Sequence, residues 1–251
     1  MTTPLRLITI PVSHFCEKAR WALDLACIPF TEDAHVPIFH RPHVKRAGGR
    51  SSTPLLVTPD GPLTESSEIV RWCNRSRDGS PSPLAESDDA WAMVTRLDRE
   101  FGPDVRRTAY DALLPHSALA REFLGGTAPA WENRLLTLGF PLLRAAMRKG
   151  LAINPPRVAR SEARIEQLLS EVDALLADGR TTLLGGAFSV ADLTVAALGA
   201  PLVFPDEYGG PMPPIDRLPD ALRVRVLERR SRPSGQLILN HYRNFRRRPS
   251  R

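Results

Sequence analysis

Ser13 and Cys16 lie three residues apart in Ile10-Pro11-Val12-Ser13-His14-Phe15-Cys16-Glu17-Lys18-Ala19-Arg20-Trp21-Ala22-Leu23. A hydroxyl and a thiol at that spacing can hold or activate a nucleophile when a helix begins beneath them. The flanking residues supply such a helix. Leu5–Ile10 is rich in aliphatic and β-branched residues and reads as a short buried strand. Ala19, Ala22, Leu23 and Ala26 recur at the spacing of one helix face. Pro11 and Ser13 stand between them as breaker and N-cap. A helix N-terminus carries roughly +0.5 of an elementary charge and several unpaired N–H groups, so it stabilises an anion, a thiolate above all. The plainer reading makes Ser13 an N-cap and nothing more.

The elements that must position this turn follow in order. Cys27-Ile28-Pro29-Phe30 closes the first helix, and Phe30–His35 reads as a weaker strand. Residues 36–52 form a loop or short helical piece carrying His40, Arg41, His43, Lys45, Arg46 and Arg50. Thr53–Thr58 is a strand, Pro59-Asp60-Gly61 a tight turn, Pro62-Leu63-Thr64 a return strand, and Glu65–Cys73 a helix. The order β-α-β, connection, β-β-α is that of a thioredoxin-like α/β half over residues 1–75. Residues 76–87 read as a polar Pro/Ser/Gly linker, and residues 88–251 as an all-α domain.

In that second half, Ala90–Leu114 reads as a helix kinked at Gly102-Pro103, and Trp131–Met147 as one interrupted at Gly139-Phe140-Pro141. Ile165, Leu168, Leu169, Val172, Leu175 and Leu176 trace a third, stopped by Asp178-Gly179. Ser189 and Asp192 have the spacing of a capping box at the head of a buried helix, Val190–Ala200. A Pro/Gly-rich loop, a helix over Ala221–Arg230 and an amphipathic end with Leu237, Leu239 and Tyr242 close the chain.

Several function classes are set aside by composition. No run of about 18 apolar residues is present, so no membrane helix is expected, and no secretory leader precedes Leu5; cytoplasmic residence is the expectation. Three cysteines cannot make a disulfide framework, and no Cys/His spacing suggests a metal site. The net charge of +6 is concentrated: Arg223–Arg251 holds ten arginines and one acid, Glu228. The Arg246-Arg247-Arg248 run is expected to be a solvated, dispensable end and not a nucleic-acid or lipid surface.

Ser13-His14-Phe15-Cys16-Glu17-Lys18 resembles the Ser-Pro-Phe-x-x-(Lys/Arg) segment of the serine-type, bacterial-like cytosolic glutathione transferases, with His14 in place of proline. Thr53-Pro54 is similar to the place where that family holds a cis-proline after a residue whose backbone pairs with the cysteinyl part of glutathione. Glu65-Ser66 is similar to its acid–serine pair for the γ-glutamyl end, and Gly186–Asp192 to its helical-domain capping motif. The resemblance implies a thioredoxin-like plus all-helical fold, glutathione as co-substrate, Ser13 as the thiolate's partner and a small hydrophobic electrophile as second substrate. It implies a cation for the glycine carboxylate, Lys45 or next Arg50, and an electrophile site near Arg106, Tyr110 and the tail. It also implies a homodimer, for which Trp72, Trp91 and Tyr110 are the available aromatic groups. A redox enzyme using Cys16, a non-catalytic module of the same fold and a different small thiol stay open.

Overall fold

Leu5–Thr9 forms β1 because its aliphatic and β-branched side chains can be buried on both faces, and Leu7, Ile8 and Thr9 are fully enclosed. In the computed structural model, which describes residues 5–75 and 84–246, the chain continues through α1 (His14–Leu25), β2 (Phe30–Ala34), α2 (His40–Arg46), β3 (Leu55–Thr58), β4 (Gly61–Leu63) and α3 (Ser66–Arg75). The strands form one sheet in the order β2-β1-β3-β4. β2 runs parallel to β1, Leu5 facing Phe30, and α1 supplies the crossover that a parallel pair requires. β3 lies antiparallel to β1 with Ile8 opposite Leu55, and a tight turn joins it to β4. This is a thioredoxin-like sheet.

Every later named element among the described residues is helical: α4 (Asp88–Arg96), a π-helical turn (Leu97–Phe101), α5 (Gly102–Leu113), α6 (Ser117–Gly125), α7 (Ala130–Gly150), α8 (Pro155–Leu176), α9 (Val190–Val203), a 3-10 turn (Ile215–Arg217), α10 (Asp220–Ser231) and α11 (Pro233–Phe245). Two details differ from the sequence reading. The irregularity in the first long helix is the π turn at Leu97–Phe101, just before Gly102-Pro103, and Pro103 falls in the first turn of α5, where its missing N–H has no cost. Gly102 is needed for close approach, since a Cβ there would sit 2.5 Å from Phe15 Cζ. α7 runs through Gly139-Phe140-Pro141 unbroken: Phe140, Leu136 and Leu143 bury one face while Pro141 lies on the exposed one. There water can satisfy the backbone group that proline leaves unpaired.

α9 is buried on nearly every side, as an all-apolar helix must be, and α1, α4, α5, α10 and α11 pack around it. Its start is fixed by the capping box: Asp192 N donates to Ser189 Oγ and Ser189 N to Asp192 Oδ2 (3.3 and 3.0 Å). Asp192 Oδ1 also accepts from Leu183 N at 2.7 Å. One continuous core joins Leu7, Trp21 and Leu56 of the first half to Leu193, Leu198 and Tyr242 of the second. The linker core, residues 76–83, lies outside the described residues; its exit is tied down where Ala85 N donates to Phe188 O and Val190 N to Ala85 O, both at 3.0 Å.

The basic C-terminal region overturns the expectation of a solvated end. Arg225 and Arg229 meet Glu162 at 2.9 and 2.6 Å, and Arg232 meets Glu166 and Asp173 at 2.5 and 2.8 Å, so the acids of α8 neutralise α10 and its connection to α11. Arg246 is buried, its Nε 2.7 Å from Glu17 Oε1 and a guanidinium nitrogen 2.7 Å from Asp24 Oδ2. Phe245 stacks on Phe188 and its carbonyl accepts from Trp21 Nε1 at 3.1 Å. The partners are acids and a tryptophan some 220 residues earlier in the chain, invisible to a charge count along the tail. Arg247 and Arg248 lie outside the described residues.

Candidate active site

The loop between β1 and α1 is held by Ser13, whose N–H donates to Ile10 O at 3.0 Å and whose Oγ accepts from Cys16 N at 3.4 Å. Ser13 is therefore an N-cap, half-buried and facing a cavity, with the free N-terminus of α1 behind it. The antiparallel register of β1 and β3 carries Thr53 and Pro54 alongside the same turn. The Thr53–Pro54 bond is cis, Pro54 is buried, and the Thr53 hydroxyl lies against the Cys16 thiol. Cys16 itself is fully enclosed, and burial pushes its thiol up while Arg20 and the Ser13 hydrogen bond only partly oppose this. A thiol so placed is protonated at neutral pH and closed to partners.

Ser66 opens α3 and is buried, with Glu65 exposed just before it. Burial and the neighbouring Glu68 raise the Glu65 carboxyl. Glu68 Oε2 accepts from Thr64 N and Glu65 N at 3.0 and 3.2 Å, fixing the entry to the helix. α3 packs on α1, and Lys18 ties the two together: its Nζ donates to Ser67 Oγ and Asp98 Oδ1, both at 2.8 Å. Ser13 and Thr53 thus meet at the start of α1, and the Glu65-Ser66 pair opens the helix that packs on α1.

Lys45 and Arg50 stand apart from these. Both are exposed, one near the end of α2 and one in the loop after it, and neither forms a hydrogen bond or ion pair among the described residues. What positions their loop is His40, whose Nδ1 accepts from Ile38 N at 3.1 Å and whose Nε2 lies 3.0 Å from Ser51 O. Burial lowers the His40 imidazole, which keeps it neutral for this bridging role.

Beside Ser13 opens an apolar cavity of about 70 Å³. Val12, Ser13 and His14 form its floor; Arg106, Tyr110 and Leu113 of α5 form one wall. The opposite wall is not the chain's tail, as the sequence reading had it, but Phe204, Met212, Leu218 and Leu222 from the segment that follows α9. That segment is pinned to the same turn: Tyr208 OH donates to Val12 O and Gly209 N to Glu17 Oε1, both at 3.0 Å. Gly210 runs so close to the Pro11 carbonyl that no side chain fits between them. Burial, with Arg106 nearby, pushes the His14 imidazole down to about 3, so the ring is neutral and its Nε2 is buried without a partner. The Pro/Gly composition of 201–219 was the one sequence signal for this wall, and it marks a loop without saying where the loop goes.

Among the described residues one cluster has metal-ligand chemistry, Asp33, His35 and His43, whose donor atoms lie within 4.8 Å of one another. Two of the three are already in ion-pair contact, and His35 is also engaged by Glu132. His35 Nδ1 is 2.6 Å from Glu132 Oε1, its Nε2 is 3.0 Å from Asp33 Oδ1, and its ring stacks on His43. The arrangement joins β2 and α2 to α7.

A thioredoxin-like sheet, a capped helix start facing a cavity and a helical second half define the architecture of the site. The family model for the glutathione S-transferase N-terminal domain matches residues 7–81, and that for the C-terminal domain residues 155–224, together more than half the chain. The protein belongs to the glutathione S-transferase family. Among solved structures, a glutathione S-transferase of Ceriporiopsis subvermispora in complex with glutathione is 14% identical, with a TM-score of 0.64 over 99% of this chain and 100% of that one. Glutathione transferase GSTFuA3 from Phanerochaete chrysosporium is 14% identical with a TM-score of 0.67 over the whole of both chains. The beta-etherase LigF from Sphingobium sp. strain SYK-6 is 16% identical, with a TM-score of 0.60 over 95% of this chain and 99% of that one. At such identities the likeness is one of fold. A search of the curated proteins returned no significant match.

Proposed function

We propose that the protein is a serine-type glutathione transferase in which Ser13 holds the glutathione sulfur as a thiolate for attack on a small hydrophobic electrophile in the adjacent cavity. The observation that carries this is the position of Ser13, at once the N-cap of α1 and part of the cavity floor. A free thiol ionises near 8.5, and bringing it to about 6.5 requires ~2.7 kcal/mol of preference for the thiolate. A partly buried helix N-terminus contributes up to ~2 kcal/mol and a hydrogen bond to a charged group ~1.5–3 kcal/mol. Together they suffice with allowance for desolvation of sulfur. Backbone at Thr53 would pair with the cysteinyl unit beside cis-Pro54, Ser66 and Glu65 would take the γ-glutamyl carboxylate and ammonium, and Lys45 or Arg50 the glycine carboxylate.

Ser13→Ala should raise the ionisation point of bound glutathione, read from thiolate absorbance, by about one to two pH units and slow turnover ~10- to 100-fold. Cys16→Ala should do neither. The reverse pattern would identify a redox enzyme acting through Cys16, a reading that the enclosure and raised thiol of Cys16 disfavour. A homodimer in the cytoplasm accompanies the proposal. Within the subunit, Trp91 packs under the Arg71 guanidinium at 3.5 Å and Tyr110 lines the cavity. Sedimentation showing only a 27.8 kDa species at micromolar concentration would remove the dimer.

A further inference from the structure

The electrophile cavity is mostly apolar, and the one residue lining it that carries a full charge is Arg106, from α5. Four other arginines drawn into this protein are neutralised by carboxylates, whereas the half-buried Arg230 is met by the Val203 and Phe204 carbonyls. Arg20 meets Glu32 at 2.7 Å, Arg107 meets Asp104 at 2.8 Å, Arg229 meets Glu162 at 2.6 Å and Arg246 meets Glu17 at 2.7 Å. Arg106, half-buried, has no carboxylate and no hydrogen-bond acceptor among the described residues, and no acid lines the cavity. Its one close companion is the Phe15 ring, 5.7 Å away. Two further polar groups beside it are also unspent: His14 Nε2 is buried without a partner, and the Tyr110 hydroxyl has none among the described residues.

Taking a guanidinium partly out of water without a counter-ion is unfavourable, and a protein that tolerates it leaves the charge to be met by something else. A planar guanidinium at the end of an apolar slot fits a carboxylate, which it can engage through two parallel N–H···O bonds. We propose that Arg106 recognises a carboxylate on the second substrate, so that the electrophile is an apolar, aromatic-sized acid and not a neutral hydrocarbon derivative. This rests on the reading of the cavity as the electrophile site. The body of the acid would lie along Leu113, Met212 and Leu222, its carboxylate at Arg106 with the Tyr110 hydroxyl as a second donor, and its reactive carbon toward Ser13.

The test uses the whole protein saturated with glutathione and two unreactive ligands of nearly the same shape, 4-nitrobenzoate and 4-nitrobenzamide, of which only the first is an anion with two acceptor oxygens. Isothermal calorimetry on the parent should show the acid binding roughly 10- to 100-fold more tightly than the amide. In Arg106→Gln that ratio should fall to near one, and in Arg106→Lys it should fall only in part, because an ammonium keeps the charge and loses the fork. Retention of the glutathione-induced rise in melting temperature reports that each variant is folded; if Arg106→Gln fails it, the lysine variant carries the comparison. Equal affinity for acid and amide in the parent, absence of acid binding at millimolar concentration, or a ratio unchanged by substitution would each overturn the proposal. Failure of the parent to bind glutathione is a different result, and it would undo the reading of the site as a transferase's.

Discussion

Ser13, Thr53 and Ser66 sit where a strand gives way to a helix or a loop to either, so each is presented as much by backbone position as by side chain. The wall across the cavity is built otherwise. Arg106 and Tyr110 come from one helix, Phe204, Met212 and Leu222 from a segment about a hundred residues later, and no two of those segments resemble a motif. The first half of the site is polar, local and drawn from the start of the chain; the second is apolar and assembled by tertiary packing alone. The difference suits the chemistry. A co-substrate of fixed structure can be met by fixed turns, whereas a surface for electrophiles needs only shape, exclusion of water and a polar group in the right place.

The two halves are locked together by α11, and unlocking them should have the largest effect. Arg246→Ala leaves Asp24 without its 2.7 Å partner and strips Glu17 of its strongest one, although Glu17 retains Gly209 N at 3.0 Å and Arg20 at 3.5 Å. Breaking a buried pair from one side costs roughly 3–5 kcal/mol, and the retained bonds place this case near the lower end. Deleting Phe245 onward should cost more, since stacking on Phe188 is lost as well. Urea unfolding measures both. A change under about 0.5 kcal/mol would mean that α1 and the helices are not joined through this residue.

The second effect is on pH, and it tests the seam at His14. Unfolded, the imidazole takes a proton near 6.5; folded, it does so at about 3, so the folded state binds fewer protons in between. Stability is therefore fully present above about 6.5 and falls as pH drops, by about 1.4 kcal/mol per pH unit for this one group. His40, also lowered by burial, adds to the slope in the same direction. Urea midpoints at pH 7, 6 and 5 should decline, and His14→Phe should flatten the curve. An equal decline in that variant would assign the slope to other groups.

How far each half was legible follows from how it is built. Ser13 and the capping box at Ser189–Asp192 were readable because caps and turns are written in neighbouring residues, whereas the cis bond before Pro54 was implied by the family resemblance alone. The buried ions were not. Glu17, Lys18 and Arg20 lie on a helix enclosed all round, and their partners Arg246, Asp98 and Glu32 lie 229, 80 and 12 residues away. A charged triplet in a short helix reads as a solvated face unless those partners are known. α6, Ser117–Gly125, had no strong period or cap to announce it, and its role is to set Phe123 into the cavity.

The third prediction separates the halves by function. Met212→Ala removes an apolar wall of the cavity and no contact of the polar half. Losing that contact should weaken binding of an apolar electrophile ~5- to 30-fold, as expected for about 1–2 kcal/mol of apolar burial. The ionisation point of bound glutathione should not move. A shift in that value would show that the wall also shapes the thiolate's surroundings, and the division between the halves would fail.

The smallest effect decides between the two cations proposed for the glycine carboxylate. Lys45 and Arg50 are both exposed and both unpaired among the described residues, so removing either should leave stability within about ±0.5 kcal/mol. An exposed charge meeting a carboxylate is worth ~0.2–1 kcal/mol, which limits the loss of glutathione affinity to about 5-fold. Calorimetry on Lys45→Ala and Arg50→Ala should therefore give one variant weakened a few-fold and one like the parent. The weakened one should approach the parent as salt is raised, because the Debye length contracts from about 10 Å at 0.1 M to about 3 Å at 1 M. If neither variant differs from the parent, the glycine carboxylate is met by backbone N–H groups of the loop that His40 holds in place. His40→Ala should then cost more affinity than either cation.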